Sequence, residues 1–267
     1  MIGAARGPVT SCLRTASPRA HARARLICFP HAGGTASAYR LWSLDAPWDI
    51  EVAAVQYPGH ADRYGEEPAT TMRALVAGLS SGLVRDMAAS PSRATVLFGH
   101  SMGAAVAYET ARALTAAGRA PRALIVSGRP APHRTRGGTL HLASDAELLA
   151  DLRRLGGTAA EVLAHEELLN AVLPTIRGDY RVIETYAPLP GRGLDVPVTV
   201  LRADADPEVD AAEADAWRTT TSAACDVLTF PGGHFYLEDR RETVLARVWD
   251  LVRAALPADS PAWPAMP

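Results

Sequence analysis

Short apolar runs of β character alternate along this chain with helical stretches, and that alternation restricts the fold more than any other feature. The runs occupy residues 25–30, 50–57, 94–99, 123–127, 198–202 and 226–230. Helical patterns fall between or after them, at 71–88, 103–117, 211–219 and 241–256. Parallel strands cannot be joined by tight turns, so strands interleaved with helices build a mostly parallel sheet flanked by helices, the α/β class. The 267 residues are enough for one such unit with a sizeable core, placed here at 25–257.

One stretch breaks the rhythm. Residues 130–188 hold no convincing strand, only helical pattern. Ser144 with Glu147 three positions later reads as a capping box, and Leu148, Leu149, Leu152 and Leu155 then share one helical face. Gly156 and Gly157 would stop that helix. A second amphipathic piece is expected over 166–172 and a third over 174–186, with Pro174 in the first turn of the third. A helical insertion between two sheet strands is a common way to build a lid over a pocket.

Net charge is −2 and no arginine stripe is interleaved with aromatics, which argues against a nucleic-acid partner. No apolar run reaches the roughly 18 residues that would span a bilayer, so no membrane partner is expected. Cys12, Cys28 and Cys225 are an odd set without CxxC spacing, which fits neither a disulfide framework nor a metal site. A reducing, cytoplasmic setting is the simplest expectation, with Cys28 as a small buried hydrophobe. Residues 1–24 carry arginines and no acid but no apolar segment, and read as a disordered leader; the proline-rich 258–267 reads as a flexible tail.

Gly99-His100-Ser101-Met102-Gly103 sits between the run Thr95-Val96-Leu97-Phe98 and a helical pattern. Strand, tight turn, helix is the context that a GxSxG nucleophile elbow requires, as in α/β-hydrolase folds. A strained turn lifts the Ser101 hydroxyl above the sheet, and the glycines let neighbouring backbone come close. A serine hydroxyl needs a base. His234, in the loop after the 226–230 run and C-terminal to the serine, is the candidate. His100 is the variable elbow residue, and His31 has a structural reading. His21, His60, His133, His141 and His165 lack a motif that would favour chemistry over surface. The acid that orients the base falls at the end of the 198–202 strand, where both Asp204 and Asp206 stand and strand alternation does not choose. Oxyanion donors would be the backbone amide of Met102, after the nucleophile, and one from the loop Phe29-Pro30-His31-Ala32-Gly33-Gly34.

With these residues placed, the chain resembles the type II (editing) thioesterases of polyketide and nonribosomal peptide pathways, over roughly 26–256. The resemblance rests on Phe29 to Gly34, on Gln56-Tyr57-Pro58-Gly59-His60 (with His60 where arginine is frequent) and on Ser127-Gly128-Arg129. Further blocks are Ala131-Pro132-His133, Leu155-Gly156-Gly157-Thr158, Leu173-Pro174 and Arg177-Gly178-Asp179-Tyr180. The last are Asp206-Pro207, Trp217-Arg218 and Phe230-Pro231-Gly232-Gly233-His234-Phe235. A departure is Ala203, where glycine is common before the acid. The resemblance implies an α/β-hydrolase fold with a helical lid, Ser101, Asp206 and His234 as catalytic residues, and Ala32 and Met102 as oxyanion donors. It also implies hydrolysis of wrong or stalled acyl groups from the phosphopantetheine arm of acyl or peptidyl carrier proteins. No metal or bound cofactor is called for, since the substrate carries the phosphopantetheine. The leucines of the lid would face an apolar acyl pocket, and Arg153 and Arg154 could steer an acidic carrier protein.

Overall fold

A computed structural model describes residues 11–134, 136–156 and 166–257. Seven strands form one sheet in the order β1-β3-β2-β4-β5-β6-β7. They are β1 Leu13–Arg14, β2 Ala24–Phe29, β3 Ile50–Val55, β4 Ala94–His100, β5 Ala123–Ser127, β6 Val198–Ala203 and β7 Cys225–Phe230. Every pairing is parallel except β1 with β3. This is the expected α/β-hydrolase-type sheet.

Along β2, successive side chains go to opposite faces. Leu26 and Cys28 join one buried cluster with Phe98, Trp42, Val248 and Trp249. Ile27 and Phe29 join another with Leu79, Leu83, Met102 and Leu114. Each face is closed by helices whose apolar residues match it: α1 Arg40–Asp45, through Trp42, and the C-terminal helix Arg241–Ala254 on one side, α2 Met72–Ala89 and α3 Met102–Ala116 on the other. All three cysteines are buried and free, and burial pushes the Cys28 thiol well up. No helix among the described residues is long and apolar enough to cross a membrane.

Two expectations need correction. Residues 11–24, read as part of a disordered leader, are built into the fold: Leu13 and Arg14 pair with Val55 and Ala54, and Cys12 is buried. Residues 1–10 and 258–267 lie outside the described residues. The two helices expected at 166–172 and 174–186 are one helix, Glu166–Glu184, with Pro174 inside it. Leu169, Leu173, Ile176 and Tyr180 recur at helical spacing and bury a single face, which offsets the hydrogen bond that proline removes.

The insertion otherwise forms as read. Ser144 and Glu147 make a reciprocal capping box at the start of helix Asp145–Leu155, and Gly156, at φ +80°, caps its end. Gly157 and the Thr158 of the resemblance lie outside the described residues. Leu148 and Leu152 are buried against Leu169, Leu173, Ile176 and Tyr180. These leucines therefore join the two lid helices to each other rather than lining an open pocket.

Candidate active site

Ser101 stands between β4 and α3 with φ +55° and ψ −120°, one of two non-glycine residues with positive φ among the described residues. Such a conformation is costly for a residue with a Cβ and persists only where its surroundings impose it. Here they do. A Cβ on Gly99 would fall 2.1 Å from the Gly103 oxygen, and one on Gly103 would fall 2.0 Å from the Phe29 oxygen. The Ser101 N–H donates to the Ser127 carbonyl at 2.8 Å, which ties the elbow to the end of β5.

His234 follows β7 in the turn Pro231-Gly232-Gly233 and is 2% exposed. Its Nδ1 lies 3.0 and 2.9 Å from the two carboxylate oxygens of Asp206, whose side chain is fully buried. A carboxylate only accepts, so Nδ1 carries the proton in that contact and Nε2 is the basic nitrogen of the neutral ring. Nε2 is buried with no hydrogen-bond partner among the described residues. Ser101 is near: the His100 ring, one residue away, is 4.8 Å from the His234 ring. From the other side, a Cβ on Gly128, next to the carbonyl that binds Ser101, would come within 3.2 Å of His234 Cε1. Asp204 turns elsewhere and accepts the Gly232 N–H at 3.0 Å.

The expected oxyanion donors come from two converging elements. Met102 opens α3, so its N–H has no acceptor one turn back within the helix. Ala32 lies in the loop after β2 and packs against the lid cluster. Ile176 of the lid covers the adjacent Gly33, whose Cβ position would be 2.7 Å from Ile176 Cγ1. A Cβ on Gly156, at the end of the other lid helix, would lie 3.9 Å from Phe235, beside His234. The insertion thus packs on the oxyanion loop and beside Phe235, while Ser101 stays partly exposed.

Three histidines to which the sequence assigns no chemistry are packed into the fold, His100 and His60 buried and His31 partly so. His100 Nδ1 is hydrogen-bonded to Ser127 Oγ at 3.0 Å, which meets Tyr236 Oη at 2.8 Å. Burial and the neighbouring His234 and His31 lower its pKa well below the usual histidine value. His31 packs edge-on to Phe235, and burial plus the facing His234 lower it to about 4. Both rings therefore stay neutral beside the base. His60 is buried rather than on the surface, and its Nε2 contacts Asp179 of the lid at 2.9 Å. His141, also read as surface, lies 2.6 Å from Glu184. His165 lies outside the described residues. Arg153 is exposed, whereas Arg154 is tied to Asp151 and Glu208, both at 2.7 Å.

The family described as "Thioesterase domain" matches residues 24–251. A "probable cadicidin biosynthesis thioesterase" of Streptomyces griseus is 43% identical over 232 residues, which are 87% of this chain and 63% of that protein. "Thioesterase PikA5" of Streptomyces venezuelae is 38% identical over 232 residues, 85% of this chain and 80% of that one. The chain thus spans less than two thirds of the first relative's length. Among solved structures, the type II thioesterase BorB from the borrelidin biosynthetic cluster superposes with a TM-score of 0.81 at 43% identity, covering 91% of this chain and 98% of that chain.

Proposed function

The chain belongs to the thioesterase domain family, and on that premise we propose that it is a type II thioesterase that removes wrong or stalled acyl groups from the phosphopantetheine arm of acyl or peptidyl carrier proteins. The observation that carries the chemistry is His234, held through Nδ1 by a buried Asp206 with its Nε2 unpaired, its ring 4.8 Å from that of His100, the neighbour of the strained Ser101. Two neighbours named as type II thioesterases, BorB of the borrelidin biosynthetic cluster and YbtT of the yersiniabactin NRPS/PKS biosynthetic pathway, support the pathway class.

In this reading Nε2 of His234 takes the Ser101 proton as the hydroxyl oxygen attacks the thioester carbonyl. Negative charge gathers on the carbonyl oxygen and rests on the Ala32 and Met102 amides, helped by the N-terminal end of α3. The carbon–sulfur bond breaks as His234 passes that proton to the departing sulfur, which returns the ring to its neutral form. Asp206 orients the ring and stabilises the imidazolium. Water then attacks the acyl-serine ester, His234 again takes the proton, and the free acid departs as Ser101 Oγ is reprotonated. The steps draw on no bound cofactor. The lid helices pack on the oxyanion loop, so their position shapes the approach of the arm to Ser101.

The test is a panel of acyl groups loaded on a carrier protein and, separately, on a small thiol. Editing predicts hydrolysis of many acyl chains, faster on the carrier, and abolished in Ser101→Ala. A sharp preference for one long chain, or equal rates on carrier-free esters, would assign a chain-terminating thioesterase or general esterase instead. Absence of both turnover and labelling by a serine-directed phosphonate would leave only a binding protein.

A further inference from the structure

Asp179 lies on the lid helix Glu166–Glu184 and is 6% exposed. One of its oxygens, Oδ2, accepts the Gly33 N–H at 2.7 Å and meets His60 Nε2 at 2.9 Å. His60, in the loop after β3, is 4% exposed, and its other nitrogen, Nδ1, is 3.0 Å from the Pro58 carbonyl. A carbonyl oxygen only accepts, and so does an ionised carboxylate. To satisfy both, the ring donates from both nitrogens, which only the imidazolium does. A neutral Asp179 donating to a neutral ring would place its acid proton on the same Oδ2 that the Gly33 amide already addresses.

Three segments that are far apart in sequence therefore meet at one oxygen atom. They are the oxyanion loop through Gly33, the lid helix through Asp179 and the 56–60 loop through His60. Two further bonds brace the joint: Tyr57 Oη donates to the Pro30 carbonyl at 3.0 Å, and Thr175 Oγ1 to the Gly59 carbonyl at 3.4 Å. The bonded N–H belongs to the Ala32–Gly33 peptide, so holding it restricts the Ala32 backbone and with it the direction of the Ala32 N–H.

We propose that Asp179, oriented by a His60 imidazolium, is a positioning residue that aims the Ala32 amide at the oxyanion and clamps the lid helix on the same loop. The inference rests on the oxyanion role proposed above for Ala32. It touches no reacting atom; it acts through Gly33.

The pair is titratable. The groups facing His60 are Asp179 from the lid, and Arg63 and the edge-on Tyr57 ring from its own segment. Burial lowers the His60 pKa and Arg63 opposes its charge, but the bond to Asp179, its negative charge and the Pro58 carbonyl outweigh them, so the pKa is raised overall. Arg63 is itself engaged by Glu66 at 2.6 Å. A histidine raised in the folded state holds its partner fully below its unfolded value of about 6.5 and releases it as pH climbs through the folded value. The latch therefore loosens on the alkaline side.

The experiment compares the full chain with His60→Gln and Asp179→Asn. Turnover of an acyl-N-acetylcysteamine thioester is measured from pH 6 to 9, alongside amide hydrogen exchange of segments 30–36 and 172–182. A 1 Å error in aim costs about 100-fold in rate, so both variants should lose about 10–100-fold in kcat at pH 7 with KM nearly unchanged. They should also lose the alkaline fall in kcat that the wild type shows. Exchange protection at Gly33 should drop in the wild type as pH rises and be low at every pH in both variants. Wild-type kcat in both variants, or unaltered Gly33 protection in whichever variant folds, overturns the proposal. The exchange measurement needs no turnover, so an inactive wild type would sink the thioesterase reading while still judging the latch.

Discussion

Gly103 sits directly against the backbone of Phe29, so closely that a Cβ would lie 2.0 Å from the Phe29 oxygen. Phe29 ends the strand that leads into Pro30, His31 and Ala32, and Gly103 follows Met102. One backbone contact therefore sets the separation of the two expected oxyanion amides. Gly103→Ala should force the helix and strand apart, with a stability loss of about 3 kcal/mol or more in urea unfolding. Any protein that still folds should have lost most of its turnover. A variant with wild-type stability would show that this approach is not tight.

The serine itself stores strain. At φ +55° a Cβ is unfavourable, and glycine removes it. Ser101→Gly should abolish turnover yet exceed Ser101→Ala in stability by about 1 kcal/mol, since alanine keeps the Cβ. Thermal melts of the two variants side by side measure this. Equal melting temperatures would mean that the elbow carries no strain of this kind.

The sequence disclosed the parallel sheet, the elbow and the capping box because each is a local pattern: an apolar run, a pair of glycines around a serine, a serine three residues before a glutamate. What it hid depends on distance. The β1 strand has two residues, too few for any periodicity, and exists only through its pairing with Val55 and Ala54. Pro174 carries a strong local signal for a helix start, but burial of Leu173 and Ile176 on one continuous face keeps the helix running through it. His60 has its partner 119 residues away, and no spacing rule reaches that far. Strand alternation does not choose between Asp204 and Asp206; only the resemblance favours Asp206. The structure separates the two by their contacts.

Those contacts give a sharp comparison. Asp206 presents both oxygens to His234 Nδ1, whereas Asp204 accepts the Gly232 amide. If Asp206 orients the base, Asp206→Asn should lower kcat by about 10³–10⁴-fold, because an amide nitrogen facing Nδ1 favours the wrong tautomer. Asp204→Asn keeps an acceptor for Gly232 and should change kcat by less than about threefold and stability by at most about 1 kcal/mol. Steady-state kinetics on one thioester decide it. Equal losses in the two variants would remove Asp206 from its assigned role.

His31 makes the fold sensitive to acid. Burial and the facing His234 lower its pKa from 6.5 to about 4. The unfolded chain therefore binds the proton more readily than the folded one between those values, and stability falls as pH drops from about 6.5 towards 4. His31 is partly exposed, so solvent screening trims the effect, leaving about 1–2 kcal/mol between pH 7 and 5. His31→Gln removes this contribution, while burial and His234 still hold His100 well below its ordinary value. In urea unfolding at the two pH values, the wild type should lose more stability than His31→Gln by about that amount. Parallel losses in the two proteins would mean that the His31 ring is not held neutral by its surroundings.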